Sequence, residues 1–416
     1  RLDLSEVAHV DLPAKVEGKR SRIQPGDLLV TITGANVGKA AIVPDNIPEA
    51  YVSQSVGLMR LKDKKNGPYL HYYLQSEQTG RKQVLNLVYG IGRPVLSLQS
   101  LRDIPVSLPP LPEQHRIVAE IEKQFTRLEA GVSALKRVQA NLKRYRAAVL
   151  KAACEGRLVP TEAELAGRDR RARRSYESGS ELLTRILADR SKNWTGRGQY
   201  KEPAAPITAN LGPLPEGWTW ATAQQLNLAN RPCAYGVLQP GEDVQDGVPF
   251  VRVGDINNGK VDLANMKRIS TTIAAQYPRT KLHGGELVIT LVGAIGRTAI
   301  IPESLAGGNT ARAVGIIPLT NQVNAHWVEI WFRNPAKNAE MDSKSHEVAR
   351  KTLNLEDVRV ASVALPPLAE QTRIVAEVER RLSVVEELEA TVSANLQRAT
   401  RLRQAVLQKA FTGELA

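Results

Sequence analysis

Apolar residues recur every seven positions along two stretches of this chain. In the first, Ile121, Leu128, Leu135, Leu142 and Val149 mark one seam position, and Val118, Phe125 and Val132 fill the other. In the second, Val378, Val385, Val392, Ala399 and Val406 mark the repeat, with Val375, Leu382 and Leu396 between them. A seven-residue apolar spacing gives a helix one dry seam, and that seam needs a partner helix. Each stretch begins just after Leu-Pro-Pro, which breaks the preceding strand. Pro112 or Ala369 followed by Glu-Gln then suits a first helical turn, where proline is tolerated and a carboxylate meets the positive end of the helix dipole. Helices are expected over about Glu113 to Ala153 and Glu370 to Ala410, each ~60 Å long at ~1.5 Å per residue.

Ahead of each helix the pattern changes to short apolar runs between Gly, Pro and Asn turns, the signature of strands. These runs are Asp27 to Thr33, Ala40 to Val43 and Val56 to Leu61, then Pro249 to Val253, Glu286 to Leu291, Thr298 to Ile301 and Ala313 to Ile317. Helix-like spacing near Tyr69 to Leu85 and near Ala325 to Met341 completes each unit. The expected class is therefore α+β, with two α/β units and two long helices that pair as an antiparallel coiled coil.

The chain also repeats itself. LPPLPEQHRIVAEIE from Leu108 returns as LPPLAEQTRIVAEVE from Leu365, 257 residues later, and the match runs on to Gly156 and Leu158 against Gly413 and Leu415. Upstream, IQPGDLLVTITGANVGKAAIVP from Ile23 resembles LHGGELVITLVGAIGRTAIIP from Leu282. Each half is thus a diverged globular unit followed by a shared helix. The expected division is 1–107 for the first unit, 108–158 for its helix, 159–213 for a basic connector with little core and a short helix-like stretch near Glu181 to Asp189, 214–364 for the second unit and 365–416 for its helix. The second half opens on Leu214-Pro-Glu-Gly-Trp-Thr-Trp220 some forty residues before Asp262-Leu263, whereas Asp3-Leu4 stand almost at the start. By that comparison the first unit is expected to be truncated at its N-terminus.

Composition narrows the function classes. Hydrophobic residues are 42% and charged residues 24%, which excludes a mainly disordered chain. No run approaches the ~18 apolar residues of a membrane span, and two cysteines are too few for a disulfide framework or a four-ligand zinc site. A cytoplasmic protein is expected. The formal charge of +13 calls for a polyanionic partner. Between Lys136 and Arg174, 12 basic residues stand against 4 acidic ones, and five of those arginines lie within Arg168 to Arg174. Such a run is either a solvated face or a phosphate contact.

The short motifs carry little chemistry of their own. Gly34-Ala-Asn-Val-Gly38-Lys39-Ala40 is one residue short of a P-loop between its glycines and has Ala where Ser or Thr would hold magnesium. It reads as a glycine turn with a basic tip, matched by Gly293-Ala-Ile-Gly296-Arg297-Thr298. The six histidines are scattered, so no metal site is expected, and no nucleophile, base and orienter assemble from sequence proximity. Nor is there an F-x-G-x-G or [DN]-P-P-[YF] segment of the adenine methyltransferase kind.

The doubled L-P-P-L-x-E-Q-x-R-I-V-A-E, each leading a heptad helix to V-L-x-x-A-x-x-G-x-L, together with L-P-E-G-W-x-W, resembles the DNA-specificity subunit of a type I restriction–modification system. The resemblance covers essentially the whole chain. It implies a non-catalytic subunit that reads a bipartite, asymmetric site in double-stranded DNA through two target-recognition domains, with the helix pair as a ruler. It also implies two partner adenine-N6 methyltransferase subunits carrying S-adenosylmethionine, and restriction subunits carrying ATP and magnesium in some assemblies. No cofactor belongs to this chain itself. A coiled-coil scaffold with incidental basic charge is the competing reading, and it predicts no sequence-selective binding.

Reading bases requires side chains of hydrogen-bonding type on loops that reach the major groove. In the first unit those candidates are Lys19, Arg20, Arg22, Asn36, Lys39, Gln54, Tyr89 and Arg93. In the second they are Arg231, Tyr235, Asn257, Asn258, Lys260, Arg279, Arg297, Asn309, Arg312, Lys344, His346 and Arg350. Arg93 and Arg350 share the 257-residue displacement.

Overall fold

Strand β1 (Leu28–Thr31) forms the middle of a three-stranded antiparallel sheet, flanked by β2 (Ala40–Ile42) and β3 (Val56–Met59). Leu28 and Val30 point into one apolar cluster with Leu74, Val84, Leu96 and Leu101, while Leu29 points the other way toward Ile23 and Val43. Burial on both faces is why this strand reads as a continuous apolar run rather than an alternating one. The cluster holding Leu28 is covered by α1 (Gly67–Gln75), α2 (Gly80–Asn86) and α3 (Leu98–Arg102). The helical stretch expected near Tyr69 to Leu85 is two helices: α1 ends at Gln75, and α2 starts at Gly80, where any side chain would press into the Tyr73 backbone.

The computed structural model describes residues 2, 4, 7–9, 18, 20–168, 175–345 and 351–415. The chain divides into two units, Arg1–Ala140 with Glu389–Ala416, and Asn141–Leu388. The division passes through both long helices rather than before and after them, because each helix packs on a different unit at each end. The first long helix, α4 (Leu111–Cys154), and the second (Leu368–Phe411) each run 44 residues, within two or three residues of the heptad-based expectation.

In the first unit, Ile117, Ile121 and Phe125 of α4 share a buried cluster with Leu407 and Ala410 of the second long helix and with Tyr69. Phe411 stands edge-on to Tyr69 and Tyr73, both at 5.4 Å between ring centres. Further along α4, Glu129 meets Arg403 at 3.5 Å, and the Arg403 guanidinium lies 3.9 Å from the centre of the Phe125 ring. Moving forward on α4 thus moves backward on its partner, so the helices are antiparallel. The heptad positions Ile121, Leu142 and Val149 are buried, as are Val378, Val385, Val392 and Ala399, whereas Leu128 and Leu135 are half-buried.

The second unit begins with the end of α4, followed by α5 (Glu162–Arg168) and α6 (Gly179–Lys192). The segment expected to be a connector with little core instead buries Leu182 and Ile186. Helix α6 is fixed at its start by a reciprocal cap between Ser178 and Glu181, and Gly179 lies so close to the Leu365 carbonyl that only glycine fits. Beside α6, β4 (Thr219–Thr222) pairs antiparallel with a strand near the end of the unit.

The remaining elements follow in order: β5 (Ala234–Tyr235), β6 (Val248–Val251), β7 (Ile256–Asn257), β8 (Lys260–Val261), β9 (Arg268–Ile269) and α7 (Thr271–Ala275). After them come β10 (Leu287–Thr290), β11 (Thr298–Ile300), β12 (Asn309–Thr310), β13 (Val314–Ile317), α8 (Ala325–Arg333) and α9 (Pro335–Ser343). The unit closes with α10 (Leu355–Arg359), β14 (Ser362–Leu365), which is the partner of β4, and the second long helix, α11. The main sheet has the order β11-β10-β13-β5, all antiparallel. Its first three strands repeat β2-β1-β3 of the first unit.

Tryptophans tie this unit to α11. Trp327 and Trp331 of α8 donate their indole N–H groups to the carbonyls of Ala364 (3.0 Å) and Ser362 (2.8 Å). Trp218 stands edge-on to Trp327 at 5.4 Å and donates to the Glu370 carboxylate at 2.8 Å. Glu370 also accepts the Glu162 backbone N–H at 3.0 Å, while Glu162 itself pairs with Arg373. A buried carboxylate has to be partnered in this way, because stripping it of water without donors is costly.

Candidate nucleic-acid interface

Three loops meet at one end of the small sheet in the first unit. The turn between β1 and β2 is closed by Thr31 N–H to the Lys39 carbonyl (2.9 Å) and Gly38 N–H to the Thr31 carbonyl (2.8 Å), with Val37 buried beneath it. The loop before β3 is tied in by Ile32 N–H to the Ser55 carbonyl at 2.8 Å. The third loop, Tyr89 to Val95, is a miniature ribbon in which those two residues exchange both backbone hydrogen bonds, at 2.9 and 2.8 Å. It is fastened to the sheet by Gly34 N–H to the Pro94 carbonyl (2.9 Å) and Leu96 N–H to the Ile32 carbonyl (2.8 Å). Asn36, Lys39, Gln54, Tyr89 and Arg93 are all exposed on this rim. Five of the eight candidates in the first unit are therefore brought together. One exposed residue of the same rim was not among them: Ile91, at the tip of the third loop.

The second unit builds the same frame with different side chains. Thr290 N–H donates to the Arg297 carbonyl (2.8 Å), Leu291 N–H to Ala313 (2.8 Å), Gly293 N–H to Lys351 (3.0 Å) and Leu353 N–H to Leu291 (2.8 Å). These are the bonds of Thr31, Ile32, Gly34 and Leu96, displaced by 257 to 259 residues. Arg297 and Arg312 are exposed on this rim. Lys344 is exposed near it and ion-paired with Glu340 at 2.8 Å. His346 and Arg350 fall outside the described residues, as do Lys19 and all of the basic run after Arg168.

Other candidates stand elsewhere. Arg22 lies ahead of β1, in an isolated antiparallel bridge with Tyr51, its carbonyl accepting from Arg60 at 3.1 Å and its guanidinium 3.8 Å from Glu49; Arg20 is exposed in the preceding turn. Asn257, Asn258 and Lys260 belong to the β7–β8 hairpin, which turns toward helices: Lys260 reaches Glu386 of α11 at 2.7 Å, and the Asn258 carbonyl accepts from Arg333 at 2.6 Å. Asn309 is buried, with its side-chain oxygen accepting from Thr280 at 2.7 Å, so it serves the core rather than a surface. Arg231, Tyr235 and Arg279 line a separate cavity of about 1330 Å³ beside β5, with Arg359. There Arg231 is held by Glu286, and the Tyr235 hydroxyl accepts the Leu355 N–H at 2.9 Å.

The buried thiols are chemically quiet. Burial pushes Cys154 up to about 12 and raises Cys233 as well, so neither is a ready thiolate near neutral pH. No helix among the described residues is long and apolar enough to cross a membrane.

Comparison with known proteins agrees with this geometry. The family model of the type I restriction modification DNA specificity domain matches twice, over residues 15–136 and 239–398. The EcoBI specificity subunit of Escherichia coli is 34% identical over 321 residues, covering 77% of this chain and 60% of that protein. The chain thus spans less than two thirds of that relative's length. The EcoKI specificity subunit of Escherichia coli strain K12 is 22% identical across 98% of this chain and 78% of its own. A chain from a solved type I restriction–modification assembly shares the fold with a TM-score of 0.59 at 18% identity, covering 97% of this chain and 85% of that one.

Proposed function

The chain belongs to the type I restriction–modification DNA specificity family, and on that premise we propose that it reads a bipartite, asymmetric site in duplex DNA. The observation that carries this reading is the doubled rim: one backbone frame, closed by the same four hydrogen bonds, presents Asn36, Lys39, Gln54, Tyr89 and Arg93 in one unit and Arg297 and Arg312 in the other. A shared scaffold with unlike side chains suits two domains that read unlike half-sites. Two related but diverged units in one chain suit two unlike half-sites, where a dimer of identical chains suits a palindrome. The net charge of +13 supports a phosphate-facing partner.

On the same reading the chain catalyses nothing itself. It holds two adenine-N6 methyltransferase subunits, which bring S-adenosylmethionine, and it accepts restriction subunits with ATP and magnesium where the system has them. The complex works in the cytoplasm. The test is co-expression of this chain with type I modification subunits. Isolation of a stable complex that methylates adenine in duplex DNA, where neither component alone does so, is the expected result. Modification subunits that methylate the same sites without this chain would overturn the proposal.

A further inference from the structure

The third loop of the first rim carries an apolar side chain where its neighbours are polar. Ile91 is as exposed as a side chain can be, at 108% of the reference value, at the apex of the ribbon closed by Tyr89 and Val95. A lone exposed apolar residue is ordinary on a protein surface, but three further features set this one apart.

The ribbon is fastened to the sheet at its base. Pro94 and Leu96 bond to Gly34 and Ile32 of the sheet end, which sets Ile91 on the same rim as Asn36, Lys39 and Arg93. Secondly, glycines flank it on both sides. Gly90 needs to be glycine, with φ of +95° and an Arg93 carbonyl against any added carbon. Gly92 has neither reason: its φ is ordinary and nothing lies within 4 Å of an added carbon. A glycine that the protein does not require leaves room for a close-approaching partner. Thirdly, the sequence keeps the same residue classes in the second unit despite the divergence of the domains. Tyr89, Ile91 and Arg93 correspond to His346, Val348 and Arg350, an aromatic ring, a β-branched aliphatic and an arginine at alternate positions.

The major groove of DNA admits a two-stranded ribbon, and its edges display a single apolar group, the C5-methyl of thymine. We propose that Ile91 is a specificity-determining residue that packs on a thymine methyl in the half-site read by the first unit. Arg93, two positions on, takes a neighbouring hydrogen-bonding edge. This inference rests on the DNA-reading function proposed above and deepens it.

The experiment uses the full chain assembled with modification subunits and a duplex library randomised over both half-sites, prepared once with thymine and once with uracil, which lacks only the methyl. The parental complex is expected to lose about four-fold in affinity at one thymine position when the methyl is removed, equivalent to ~0.8 kcal/mol for one buried carbon. Ile91→Ala is expected to bind the thymine and uracil forms equally at that position while keeping every other preference and the parental melting temperature. The proposal is overturned if Ile91→Ala retains the parental thymine-over-uracil difference, or if the parental complex shows none. It is also overturned if Ile91→Ala weakens all sequences alike, which marks a wedge or packing role. A parental complex with no sequence preference in either library rejects the DNA-reading function itself, an outcome distinct from the others.

Discussion

Trp218 donates its indole N–H to Glu370 across 2.8 Å, joining the segment just ahead of β4 to the first turn of α11. Glu113, which the sequence repeat equates with Glu370, is exposed at the start of α4. The same Leu-Pro-Pro-Leu-x-Glu-Gln sequence therefore lies in two environments, and the Glu side chain separates them. Gln114 and Gln371, by contrast, behave alike: each is buried and donates its side-chain amide to the carbonyl five residues before it, at 2.8 and 2.9 Å.

Burial raises the pKa of Glu370 above the ordinary carboxylate range. A carboxyl whose folded value is raised holds its proton longer in the folded chain. Its contribution to stability is therefore full below the ordinary value and declines as pH rises through the raised one. Glu370→Gln keeps an acceptor for Trp218 without the charge. Urea unfolding of both proteins between pH 4 and 8 should show the parental stability falling relative to Glu370→Gln as pH rises. A difference that is flat or grows with pH contradicts this assignment.

Ile121 sits fully buried where α4 meets Leu407 and Ala410, while Val138 on the same helix is 42% exposed. Ile121→Ala should cost roughly 2–5 kcal/mol, and Val138→Ala at most ~0.5 kcal/mol. Denaturant midpoints with unchanged slope read both. Equal effects at the two positions would contradict the seam placement.

Salt dependence separates phosphate contacts from base contacts. Arg297 stands exposed at the tip of the β10–β11 turn. If it meets a phosphate, Arg297→Ala should reduce the salt slope of binding by ~0.9 and weaken all sequences alike. An unchanged slope with a narrowed loss at one base would reassign it to reading.

Much of this architecture is legible in the residues. The two helices follow from heptads because a seam of apolar side chains has one stable solution, and the strands Leu28–Thr31 and Leu287–Thr290 follow from apolar runs bounded by glycines. The helical spacing near Glu181 to Asp189 foretells α6, but the cover that α6 and the β4–β14 ribbon place on the second unit is not legible, because the burial of Leu182 and Ile186 depends on strands distant in sequence. The same limit applies to the interface. Sequence chose Asn309 for its polar side chain on an expected loop, and the fold spends that side chain on Thr280. It omitted Ile91 because an aliphatic residue reads as core until the ribbon that lifts it into solvent is seen.

Arg93 provides the most direct test of the central claim, that each unit reads one half of a divided site. The measurement is the base preference at every position of a randomised duplex, read from adenine methylation by complexes of the full chain with modification subunits. The parental complex should enrich two short blocks separated by an unread spacer of fixed length. Arg93→Ala should relax one block by ~1–3 kcal/mol at one or two positions and leave the other block untouched. A single contiguous block, or both blocks relaxing together in Arg93→Ala, would contradict the account.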